Sequence, residues 1–292
     1  MLIKLFKNEM RATAKTFMWF YIAFAVIAVI NAVMNPFAMG AATSDAVLTM
    51  GWPGAFVPEA IRGIVMALYF IAVVVIMVVT IVIIILRFFR NLLGDEGYLM
   101  MTLPVTREQH ILAKLFAAVI WSICTGVLIF LSFLMLLQSA GLLPEIVQGI
   151  NGIIAAGTPL DRWITQIVIM LIVGNISSIL MLYAAMGIGP NLLKNRVGGS
   201  ILAYIIIYIA SQFIMFGVMV GTFTSIVGKQ STVPGAAVTG DGFPMPAGGA
   251  IPQEFISSID MLVLSAIIGT AAIAVACWFL TQYMLKRKLN LS

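Results

Sequence analysis

From Ile64 to Leu86 the chain runs for 23 residues without a charge, and 17 of these are Ile (7), Val (7), Leu (2) or Phe (1). At 0.3–0.6 kcal/mol each on the membrane-insertion scale, those side chains favour insertion by about 5–10 kcal/mol. β-Branched residues at this density would suit strands. A run this long with no polar alternation excludes a barrel strand and leaves a membrane-crossing helix. Five further stretches reach the roughly 20 apolar residues that a crossing needs. The six predicted spans are 17–34, 64–86, 112–137, 164–189, 200–222 and 260–283. The fold class that follows is an all-α integral membrane protein.

The charge supports the same class. Only 9% of the 292 residues are charged against 62% hydrophobic, and the mean hydropathy is +1.12. A soluble domain has about a quarter charged. Both cysteines, Cys124 and Cys277, fall within apolar stretches, so neither a disulfide framework nor a zinc site is indicated.

The 16 basic residues set the expected orientation. Thirteen lie in the N-terminus (Lys4, Lys7, Arg11, Lys15), the second connection (Arg87, Arg90, Arg107, Lys114), the fourth (Lys194, Arg196) and the C-terminus (Lys286, Arg287, Lys288). Only Arg62, Arg162 and Lys229 fall in the other connections. The positive-inside bias predicts both termini to be cytoplasmic. It also accounts for the net charge of +5 without a nucleic-acid surface.

Residues 1–16 predict an amphipathic helix at the interface, with Leu2, Ile3, Phe6, Met10, Ala14 and Phe17 at helical spacing and Lys4, Lys7, Asn8, Arg11 and Lys15 opposite. Residues 17–292 form the six-span domain. The connections 35–63 and 138–163, punctuated by proline, and the Gly- and Pro-rich loop 223–259 are expected outside. Ser257 or Ser258 is a candidate cap of the last helix. Pro190 to Gly199 reads as a tight turn.

The second connection carries the most information. Gly94 and Gly97 flank the acidic pair Asp95-Glu96; Tyr98, Leu99, Met100 and Met101 are apolar; and Pro104 stops a helix. Thr106 with Gln109 has capping-box spacing for the third span. An apolar patch among charges on a short cytoplasmic loop suggests a docking surface.

Several chemistries are missing. No ionisable residue lies mid-span, which argues against a proton- or sodium-coupled carrier. Protease, lipase and phosphate-loop motifs are absent, and the single histidine, His110, reads as an interfacial side chain. Nothing predicts that the chain is an enzyme or binds a cofactor by itself.

The stretch Gly94-Asp95-Glu96-Gly97-Tyr98-Leu99-Met100-Met101-Thr102-Leu103-Pro104-Val105-Thr106 is similar to the Glu-Gly-Tyr-Leu-(apolar)₂-Thr-Leu-Pro-Val sequence in permeases of bacterial type-2 ATP-binding-cassette (ABC) exporters. The basic helix before the first span, the six-span plan and the long segment before the last span resemble that family as well. The resemblance implies a permease of the bacterial cytoplasmic membrane whose residues 1–16 form a connecting helix. Asp95, Glu96, Gly97, Tyr98, Leu99, Met100, Pro104, Arg107 and Glu108 would dock on a separate ABC ATPase subunit, which holds the ATP and magnesium. A second permease copy or a sister permease would complete a pathway lined by the second and fifth spans, making Thr80, Ser211 and Gln212 candidate lining residues. The uncharged spans suit hydrophobic or amphipathic cargo: a lipid, drug or peptide. An alternative is a membrane-bound sensor or immunity subunit that sequesters a peptide or drug without transport.

Overall fold

The computed structural model describes residues 2–34, 58–89, 107–155, 159–193, 196–230 and 253–289. These residues form seven α-helices and no strand: α1 (Leu2–Met34), α2 (Glu59–Phe88), α3 (Arg107–Ser139), α4 (Leu143–Ala155), α5 (Leu160–Leu192), α6 (Arg196–Gln230) and α7 (Gln253–Leu289). All but α4 are long and apolar enough to cross a bilayer, and α2 has the highest mean hydropathy, 3.4. Helices dominate because a bilayer offers no water to satisfy backbone N–H and C=O groups, which a helix pairs internally. A 33-residue helix such as α1 or α3 is about 50 Å long, so it outruns the ~30 Å hydrocarbon layer or tilts within it. The chain is a multi-pass membrane protein.

It divides into two compact units, Met1–Gly149 and Ile150–Ser292. In the first, α1 packs along both α2 and α3, which touch each other less than either touches α1. The buried stripe of α1 is Glu9, Thr13, Phe17, Phe24, Ala28, Asn31 and Ala32. Phe17 stacks on Trp121 with ring centroids 4.5 Å apart, and Phe24, Ala28, Tyr69, Ile76 and Leu136 form a core farther along. In the second unit α7 and α6 both pack on α5. At the α5–α6 crossing, Gly189 and Gly199 bring their backbones together, and a Cβ on either would strike backbone atoms of the other helix.

Several boundaries differ from the sequence expectations. Residues 2–34 are one unbroken helix, without an interruption where an interfacial segment would pass into a span. Within 138–163, α4 forms where only a connection was expected. Pro144 does not prevent it, because a first-turn proline lacks an N–H that would have no helical partner anyway. Before α4, α3 closes on Gly141 (φ 71°), with Leu142 N–H donating to the Leu137 carbonyl (3.2 Å) and Gly141 N–H to that of Gln138 (3.1 Å). This is a Schellman closure, and its left-handed residue favours glycine.

The loop expected at 223–259 is shorter, because α6 continues to Gln230 and α7 begins at Gln253. The polar residues at the end of α6 do not break it: Thr222, Thr224 and Ser225 donate to the carbonyls of Val218, Gly221 and Thr222, one turn back. Ser257 and Ser258 lie inside α7 rather than capping it. Pro190 and Gly199 likewise lie inside α5 and α6, which narrows the turn to the residues after Leu192 and before Arg196.

Candidate functional site

The docking residues predicted from the second connection mostly lie outside the described residues: Asp95, Glu96, Gly97, Tyr98, Leu99, Met100 and Pro104. Arg107 and Glu108 form the first turn of α3. What the structure does describe is how the two stems of that connection are held.

Glu9, on the buried face of α1, joins both stems. Its Oε1 accepts from Lys114 Nζ at 2.7 Å, and its Oε2 lies 3.1 Å from Arg87 Nε. Arg87 is in the last turn of α2, and Lys114 is two turns into α3. The carboxylate and the ammonium are almost wholly buried, whereas the guanidinium is about a quarter exposed (side chains 10%, 5% and 26%). Two cations thus meet one carboxylate where three helices come together. Helical periodicity explains the arrangement. Lys7, Arg11 and Lys15 share one side of α1, and Glu9 falls about 160° from Lys7 and Arg11 and about 120° from Lys15 around the helix.

A polar seam continues from this cluster along the same three helices. Thr13 Oγ1 donates back to the Glu9 carbonyl (2.9 Å) and accepts from Trp121 Nε1 (2.8 Å). Tyr21 Oη lies 3.0 Å from the Trp121 carbonyl and 2.8 Å from Thr125 Oγ1. Thr125 Oγ1 is 3.1 Å from Thr80 Oγ1, which also reaches the Ile76 carbonyl at 2.8 Å. Beyond these, Tyr69 Oη meets Ser132 Oγ at 2.9 Å. On α3 the contributing positions are 114, 121, 125 and 132, steps of seven, four and seven that keep to one helical face. Their spacing spans about 27 Å of helix.

The three predicted lining residues lie on α2 (Thr80) and α6 (Ser211 and Gln212). Thr80 is buried within the seam of the first unit. Ser211, on α6, is buried and donates to the Tyr208 carbonyl at 2.7 Å, while its neighbour Gln212 is exposed. Sequence reasoning missed Glu9, which looked like one more charge in a basic helix. It missed Trp121 too, whose indole N–H places it in the polar seam. The available signal was the seven–four–seven spacing of Lys114, Trp121, Thr125 and Ser132.

The second unit has a smaller polar tie at the N-terminal ends of α5 and α7. Asp260 accepts from Arg162 Nη1 (3.1 Å), Trp163 Nε1 (3.1 Å) and Gln166 Nε2 (3.3 Å). Among the described residues no cluster of three or more His, Cys, Asp or Glu could hold a metal ion. Neither a family model, nor a curated protein, nor a solved structure matches the chain.

Proposed function

We propose that the chain is the permease subunit of a bacterial ATP-driven exporter, with both termini in the cytoplasm and a separate ABC ATPase supplying ATP and magnesium. In this reading the second connection docks on the ATPase, and two permeases, identical or sister chains, frame the path of a hydrophobic or amphipathic cargo. The observation that carries it is the resemblance of Gly94–Thr106 to the exporter-permease sequence. The Glu9 cluster gives the docking segment a mechanical partner. Its two stems, Arg87 and Lys114, converge on one carboxylate of α1, so a push on the segment would reach all three helices of the first unit. A loose loop on separate helices would dissipate the same push.

The test is co-expression with a candidate ABC ATPase subunit. The expected result is co-purification and stimulated ATP hydrolysis, with both lost in the double substitution Tyr98→Asp, Leu99→Asp. Retention of both activities in that variant removes the docking assignment. Cargo binding in vesicles without ATP-dependent movement would favour the sequestering subunit.

A further inference from the structure

Helix α4 carries an apolar face on which no residue is buried. Leu143, Ile146, Val147, Ile150, Ile153 and Ile154 recur at the spacing three, one, three, three, one. They occupy an arc of about 120°, the width of a stripe that normally faces a core. Glu145, Gln148, Gly149, Asn151 and Gly152 occupy the rest of the circumference. Yet none of the helix's residues is buried, and Ile146, Val147, Ile150 and Ile154 are each 42–53% exposed.

We propose that α4 lies in the plane of the membrane, with this face in the lipid acyl region and its polar side toward water. Covalent reach fixes its location. Three residues, 140–142, separate it from the end of α3, and four, 156–159, from the start of α5. Fully extended, these links let the helix ends stand at most about 14 and 18 Å apart. Both ends of α4 are therefore tethered to ends of membrane-spanning helices. At 13 residues the helix is about 20 Å long, too short to cross the ~30 Å hydrocarbon layer. The Gly141 closure turns the chain straight from α3 into α4 at this boundary.

The chemistry of the face specifies the occupant. A soluble partner would require a large apolar surface beside the bilayer to remain uncovered in its absence. Lipid covers it at once. Glu145 is the single charge of α4 and there is no cation, so attraction to anionic headgroups contributes nothing. Burial of apolar area alone holds the helix, unlike a basic interfacial helix. The binding is therefore indifferent to headgroup charge.

The experiment uses the full-length chain in phosphatidylcholine nanodiscs, with and without phosphatidylglycerol. Spin labels are placed singly by Val147→Cys, Gln148→Cys, Ile150→Cys, Asn151→Cys, Gly152→Cys and Ile154→Cys in a Cys124→Ala, Cys277→Ala background. The expected result is a 3.6-residue oscillation: labels at 147, 150 and 154 relax with oxygen and are shielded from a water-soluble nickel chelate, and those at 148, 151 and 152 do the reverse. The pattern should be the same in both lipid mixtures. Labels at 147, 150 and 154 shielded from both reagents would mean protein covers the face, such as a second copy of the chain, and would overturn the proposal. Nickel access on both faces would overturn it equally. For the unmodified chain, a lipid carrying a photoreactive group on its acyl chain should crosslink within 146–154, and no crosslink there would also overturn the proposal.

Discussion

Glu9 controls the electrostatics of the first unit because its carboxylate is the shared partner of two cations with little access to water. Removing one partner from a buried pair costs about 3–5 kcal/mol, mostly through the charges left behind. Glu9→Gln should therefore destabilise the protein by about that amount in equilibrium unfolding with a denaturing detergent. Adding Arg87→Met and Lys114→Met should recover much of the loss, since both cations that faced the carboxylate are then gone. If the single and triple variants unfold alike, the cluster contributes packing and no electrostatics. Asp260 behaves differently because its partners differ. The Arg162 side chain is 62% exposed, and an exposed ion pair is worth about 0–1 kcal/mol. Arg162→Ala should change stability little. Asp260→Ala also strips the acceptor from Trp163 and Gln166, and an unsatisfied donor costs about 1–3 kcal/mol. The two thermal midpoints measured in the same detergent test that order.

At the scale of elements, the glycines rank themselves. Gly189 and Gly199 sit at a backbone-to-backbone approach of α5 and α6, where no flexible side chain can yield. Gly189→Ala or Gly199→Ala should force the crossing apart and sharply lower the yield of folded protein in size-exclusion chromatography. Gly217→Ala and Gly221→Ala meet open space and should leave the yield unchanged. The Gly217–Gly221 spacing is the more familiar packing signal on paper, whereas Gly189 and Gly199 depend on a crossing that only the folded unit reveals.

Other elements divide the same way between what sequence exposes and what it hides. Helix α2 was legible from its apolar run, since lipid leaves so uniform a segment no alternative. Helix α4 was just as periodic, but Pro144 and two glycines made its segment look like a connection. The ends of α6 and α7 were drawn too short because hydrophobicity marks where lipid ends, whereas a helix continues for as long as its backbone N–H and C=O groups pair with each other. Glu9 was hidden because its role depends on Arg87 and Lys114, which only the fold brings near.

For the whole molecule, the distribution of basic residues predicts one orientation. Modification of intact cells with a membrane-impermeant maleimide should leave Asn8→Cys unreactive and label Gln148→Cys, in a background lacking both native cysteines. The opposite pattern would invert the topology and place the second connection outside, where an ATPase cannot reach it. The apolar residues exposed along α2, α3, α5 and α6 provide a lipid-facing surface throughout. Orientation thus depends on the few charges and insertion on the many apolar side chains.

The Glu9 cluster also imposes an order on biogenesis. Lys114 lies 105 residues after Glu9. At about 5–20 residues per second, a ribosome needs roughly 5 to 20 s to supply it. Arg87 is made earlier in that interval, so the carboxylate of α1 meets its two cations one after the other, and only with Lys114 is the cluster complete. A nascent chain stalled between Arg87 and Lys114 would therefore hold its first helix by one ion pair instead of two, a half-built anchor open to quality-control proteases.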